Sequence, residues 1–128
     1  MGDTYHFDIP FIVINIIHIL AGLWLGYVGY KKINSEEIHE LNHKILFVLG
    51  MIMIVYFSMT SYKNIGKSWN YKNGVPNWMV FATHIVNAVM FIMIGLKYIN
   101  KPFVVGIYLG IIGTLASLYH SYLIFQRY

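Results

Sequence analysis

Four long apolar stretches, separated by short polar ones, organise this chain. No Asp, Glu, Lys or Arg occurs between Ile9 and Tyr30, between Ile45 and Tyr62, between Trp78 and Leu96, or between Phe103 and Phe125. Each stretch holds 18 or more residues, and about 20 helical residues cross the roughly 30 Å hydrocarbon layer of a bilayer. Apolar residues occupy every side of these stretches. A barrel strand would instead alternate apolar and polar residues over roughly ten positions. The pattern therefore predicts an all-α integral membrane four-helix bundle, a single transmembrane domain over residues 1–128, with spans near 9–30, 44–62, 78–98 and 103–126.

The connections are short. Residues 1–8 form a polar arm with Asp3 and Asp8, and Pro10 opens the first span, where a missing N–H costs nothing. Ser35-Glu36-Glu37 begins a polar loop with a short helical turn into His43. The loop from Lys63 to Asn77 holds the breaker residues Gly66, Asn73-Gly74 and Pro76. Asn100-Lys101-Pro102 makes a tight turn before the last span.

Composition agrees with the pattern. Of 128 residues, 58% are hydrophobic and 11% charged, against roughly 25% charged in soluble domains. Cysteine is absent, which removes disulfides, thiolate metal sites and thiol redox chemistry. The first apolar run has no basic region before it and no A-x-A site after it, so it is expected to be an uncleaved span. The start Gly2-Asp3-Thr4-Tyr5-His6 lacks the Ser or Thr of a myristoylation signal. The net charge of +4 is spread over two membrane faces and makes no stripe for nucleic acid. Lys31, Lys32, Lys44, Lys97 and Lys101 lie on one side, and Lys63, Lys67, Lys72 and Arg127 on the other. Positive-inside counting, with the acidic N-terminal arm, puts the termini on the non-cytoplasmic side.

The chain also shows signs of an internal repeat. His18-Ile19 and Ile33-Asn34 recur 66 residues later as His84-Ile85 and Ile99-Asn100. Leu49-Gly50 and Ser61-Tyr62 recur 60 residues later as Leu109-Gly110 and Ser121-Tyr122. Two helical hairpins of one design, inserted the same way up, would be related by an axis along the membrane normal. In this register His18 and His84 are equivalent, and Thr60 takes the place of His120.

His18, His84 and His120 are the candidate site. Ionisable residues inside a bilayer are costly, so each is a functional candidate by default. At 1.5 Å per residue all three fall at one depth, roughly 8–13 Å below one surface. Small residues share their faces: Gly22, Gly26 and Gly29 with His18, and Gly106, Gly110, Gly113 and Ser117 with His120. Two readings follow. In the first, Gly22, Gly26, Gly106, Gly110 and Gly113 are close-packing faces, and each imidazole hydrogen-bonds a neighbouring helix. Asn15, Asn87, Ser58, Thr60, Ser117 and Tyr119 are the available partners. In the second, paired imidazoles are axial ligands to a haem b, as in a b-type cytochrome, and the glycines make room for the macrocycle. Three imidazoles on a metal ion, or a proton path, are variants of it. Packing is the leading expectation: a non-catalytic component that associates with lipid, with itself or with partner membrane proteins.

His39-Glu40-Leu41-Asn42-His43 matches the H-E-x-x-H pattern of zinc proteases, in which two histidines hold zinc and the Glu acts as base. A third ligand and a cleft are also needed, and only Glu36 and Glu37 stand near. His39 and His43 are therefore weak surface metal candidates, and a solvated turn with ion pairing to Lys44 is the expected reading. Tyr27, Tyr30, Tyr62, Tyr98, Tyr108, Tyr122, Tyr128, Trp69 and Trp78 fall mainly near span ends, as an interfacial aromatic belt. Trp24 is mid-span. No T-V-G-Y-G-like filter loop is present. Span one lacks the buried acidic residue on which four-span proton-coupled drug exporters rely.

His18 followed by Gly22, Gly26-Tyr27 and Gly29-Tyr30, then Leu109-Gly110 leading to Tyr119-His120-Ser121-Tyr122, resembles small four-span membrane proteins encoded by large nucleocytoplasmic DNA viruses. The high usage of Ile, Lys, Asn and Tyr suits an AT-rich genome. The resemblance implies a place in a virion or host internal membrane, and no residue roles.

Overall fold

The computed structural model describes residues 9–63, 71–72 and 75–128. The fold is all-α, with four long helices: α1 (Phe11–Ile33), α2 (Glu40–Lys63), α3 (Asn77–Gly95) and α4 (Pro102–Arg127). All four are long and apolar enough to cross a membrane, which fits a multi-pass membrane protein. Residues of the polar arm through Asp8, together with Gly66, Trp69 and Asn73-Gly74, lie outside the described residues. A two-residue antiparallel ladder, β1 (Tyr71–Lys72) with β2 (Val75–Pro76), pairs Tyr71 with Pro76 and Lys72 with Val75. It brackets Asn73-Gly74 in sequence.

Local chemistry sets the helix ends. Pro10 precedes α1 and Pro102 is the first residue of α4, positions where the absent N–H would have had no intrahelical partner. α1 runs three residues beyond the expected Tyr30, and its last turn carries Lys31 and Lys32, cations that suit the negative end of the helix dipole. It stops when Ser35 turns left-handed (φ 55°). The Glu36 amide then bonds the Lys31 carbonyl, and the Ser35 amide the Lys32 carbonyl. α3 closes the same way at Lys97 (φ 64°), with Tyr98 bonding Met93 and Lys97 bonding Ile94. These are Schellman closures that satisfy end carbonyls. α2 starts at Glu40, four residues ahead of the expected Lys44, because His39 Nδ1 accepts the Leu41 amide at 3.0 Å and so partners one donor of the first turn.

The helices pack as two units, α1 with α4 and α2 with α3. In the first, Ile14, Leu25, Val28, Val105, Leu109 and Leu123 are buried, with Asn15 and His120 as the buried polar groups. In the second, Leu46, Phe57, Ala88, Phe91 and Ile94 are buried. Large apolar side chains such as Leu20, Leu23, Val55, Val86 and Leu118 are exposed. In water so much apolar surface would drive association, whereas against acyl chains it needs no cover.

Candidate functional site: the helix pairs and their histidines

Close approach of backbones defines both units. A Cβ added to Gly29 would lie 2.7 Å from the Gly106 carbonyl and 2.7 Å from the Gly110 amide. A Cβ on Gly95 would lie 2.7 Å from the His43 carbonyl and 2.7 Å from the Phe47 amide. Gly113 faces the Gly22 carbonyl and the Gly26 amide, and Gly50 faces the Ala88 carbonyl and the Ile92 amide. Gly22 and Gly106 are likewise within 3 Å of partner backbone. Gly26 and Gly110 differ: nothing lies within 4 Å of an added Cβ.

These contacts follow one numbering rule. Adding 66 to a position in α1, and subtracting 63 from a position in α4, turns the backbone contacts of Gly29 and Gly113 into α3–α2 contacts. Gly29 against Gly106 and Gly110 becomes Gly95 against His43 and Phe47. Gly113 against Gly22 and Gly26 becomes Gly50 against Ala88 and Ile92. The rule carries over to the rings. His18 stacks on His120 with centroids 4.2 Å apart, and His84 stacks on Phe57 at 4.1 Å. The residue equivalent to His120 by contact is thus Phe57, three positions before the Thr60 expected from matching Leu-Gly dipeptides.

Each of the three intramembrane histidines has its Nδ1 tied to an oxygen. His18 Nδ1–H donates to the Ile14 carbonyl, and His84 Nδ1–H to the Val80 carbonyl, each at 2.7 Å. His120 Nδ1–H donates to Asn15 Oδ1 at 2.6 Å, and Asn15 Nδ2 donates to the Phe11 carbonyl at 2.8 Å. A carbonyl only accepts, so a proton sits on each Nδ1, and in the neutral form of the ring the lone pair is on Nε2. Of the three candidates, the structure brings His18 and His120 together in the α1–α4 unit. His84 belongs to the α2–α3 unit.

Sequence reasoning counted Asn15 only as one of several hydrogen-bond partners for the histidines, yet it is fully buried and is the residue that holds His120. An amide inside a 22-residue uncharged run was the available signal. The position 66 residues on is Phe81, so the unit with His120 has Asn15, and the unit with Phe57 has Phe81.

At the helix ends, Glu40 is engaged by Lys97, with Nζ 2.7 Å from Oε2, and the His43 ring lies 3.8 Å from the same carboxylate. His39 Nδ1 is taken up by the Leu41 amide. Among the described residues no group of three or more His, Cys, Asp or Glu could hold a metal ion. His39, Glu40 and His43 serve the start of α2 and its contact with the end of α3. No family model, curated protein or solved structure matches this chain.

Proposed function

We propose that this chain is a small multi-pass membrane component with a non-catalytic structural or accessory role, packing with partner spans or with a second copy of itself. The observation that carries this reading is the use of its small residues. Gly22, Gly29, Gly50, Gly95, Gly106 and Gly113 each set one helix backbone against another. In lipid, such close packing and a few interhelical hydrogen bonds are what hold helices together. We further propose that the chain arose by duplication of a two-span unit, supported by the shared contact rule of the two helix pairs. The lysine count favours termini on the non-cytoplasmic side, and the viral resemblance favours a virion or host internal membrane.

A second reading is favoured by one observation. The Nδ1–H of each of His18, His84 and His120 is held by an oxygen, which is the arrangement that orients an imidazole as an Nε2 ligand. This supports haem b, or an intramembrane metal or proton site. The 4.2 Å stack of His18 on His120 leaves no slot for a macrocycle between those two rings, so a haem would need other pairs or turned rings. The visible spectrum and elemental analysis of the purified chain decide between the readings. The packing role expects a colourless, metal-free protein. A Soret band that disappears in His84→Ala or His18→Ala would overturn it.

A further inference from the structure

The α1–α4 unit carries an open groove of about 480 Å³ whose walls include Gly26, Tyr30, Ile33, Ile107, Gly110 and Thr114. Two facts explain it. Gly26 and Gly110 are the two glycines of this unit's stripes at which an added Cβ would meet nothing within 4 Å. The positions that correspond to them by contact in the other unit are Ile92 and Phe47, whose half-buried side chains reach the Gly50 and Gly95 contacts. The groove is therefore the space that an Ile and a Phe side chain occupy in the sister pair and that two glycines leave open here. The α1–α4 contact uses the backbone of Gly26 and Gly110 but not the open space beside them.

Its shape and surroundings indicate an occupant. From Ile107 to Leu115 it extends about 12 Å along α4, most of the roughly 15 Å depth of one leaflet. The lining is mostly apolar, with Ile33, Ile107, Ile111 and Leu115 beside the two glycines, and Tyr30 and Thr114 carrying its hydroxyls. Its outer end is at Tyr30 and Ile33, in the turn of α1 that also carries Lys31 and Lys32, and Lys101 immediately precedes α4. Lys31 lies over the Tyr27 ring at 5.5 Å. Glu36 and Glu37 follow on the exposed loop, and the three lysines outnumber them. Cationic side chains at the headgroup level above an apolar channel are the chemistry that selects anionic phospholipid.

We propose that this groove is a lipid site that seats one acyl chain of an anionic phospholipid, with Lys31, Lys32 and Lys101 engaging its phosphate. The site is separate from the histidines and goes beyond the packing role. The test is native mass spectrometry of the full chain released from bilayers of phosphatidylcholine mixed with phosphatidylglycerol. The wild type is expected to retain phosphatidylglycerol in preference to phosphatidylcholine. Gly26→Ile with Gly110→Phe, which copies the filled unit, is expected to abolish retention of both. Lys31→Gln, Lys32→Gln and Lys101→Gln together are expected to keep a bound lipid but erase the preference, by about fivefold per lysine. Should the filled variant misfold, Thr114→Phe blocks the same groove from an exposed position on its wall and should also abolish retention. Undiminished phosphatidylglycerol on the filled or blocked variant overturns the proposal. So does a filled variant that only converts a dimer to a monomer, since that outcome assigns the groove to a second copy of the chain.

Discussion

His120 donates its Nδ1–H to Oδ1 of Asn15 at 2.6 Å, joining α4 to α1 across a contact in which Asn15 is fully buried. The equivalent positions in α2 and α3 are Phe57 and Phe81, so one helix pair holds a polar couple where the other holds two aromatic rings. A buried donor that loses its acceptor costs more than an apolar pair in its place. Asn15→Phe alone and His120→Phe alone are therefore each expected to destabilise the protein by about 0.5–2 kcal/mol, the range of interhelical hydrogen bonds in membranes. The double variant, which copies the sister unit, should lose less than the sum. Unfolding titrations of the four proteins form the double-mutant cycle, and strict additivity would refute the coupling.

Glycines that look alike in sequence should respond differently. Gly29→Ala puts a methyl 2.7 Å from the Gly106 carbonyl and the Gly110 amide. Backbone cannot move aside as a flexible side chain can, so a loss of about 1–3 kcal/mol is expected. Gly95→Ala should behave the same way in the other unit, against His43 and Phe47. Gly26→Ala meets open space and should leave stability unchanged or raise it by up to about 1 kcal/mol through helix propensity. Thermal unfolding in detergent ranks the three variants.

Much of the fold was legible from charge alone. Uncharged runs mark the four helices and Pro10 marks the start of the first, whereas Pro102, expected in the tight turn before the last span, is the first residue of α4. The helix pairing was not legible, because spans that are apolar all round present no face to choose between partners. Histidine depth suggested a cluster of three, and the meeting of His18 with His120 follows from their places on the glycine stripes of α1 and α4. The partner of His84 gave no signal, since Phe57 is one apolar residue among many. The Leu-Gly matches suggested an offset of 60 for the second and fourth helices, whereas backbone approach follows 63. A glycine's role is set by what it faces, and Gly50 faces Ala88 and Ile92 as Gly113 faces Gly22 and Gly26.

Helix closure at non-glycine residues can be relieved. Ser35 and Lys97 hold left-handed backbone at φ 55° and 64°, a region that disfavours side chains with a Cβ. Ser35→Gly is expected to raise stability by about 1 kcal/mol. Lys97→Gly gains the same relief but loses its 2.7 Å ion pair with Glu40, an exposed contact weakened by solvent screening. Its net effect should be smaller than that of Ser35→Gly. Added salt should narrow the difference by screening the pair in the wild type. Equal gains at both sites under low salt would show that the Glu40 pair contributes nothing.

The contact register of the α2–α3 unit can be tested with cysteines, because the chain has none of its own. If Gly50 corresponds to Gly113, its neighbour on α3 is Ala88. If it corresponded to Gly110, as the Leu-Gly match implies, its neighbour would be Gly95, by analogy with Gly29. Ala88 and Gly95 are seven residues apart, about 10 Å along the helix, while a disulfide needs Cα atoms within about 7 Å. Gly50→Cys with Ala88→Cys is expected to oxidise to an intramolecular disulfide in membranes. Gly50→Cys with Gly95→Cys should stay reduced under the same treatment. Both variants carry the same overpacking at position 50, and the 50–95 variant alone also overpacks position 95, so Gly95→Cys by itself, checked for folding, completes the comparison. A disulfide in the 50–95 variant and none in the 50–88 variant would restore the offset of 60 and break the correspondence between His120 and Phe57.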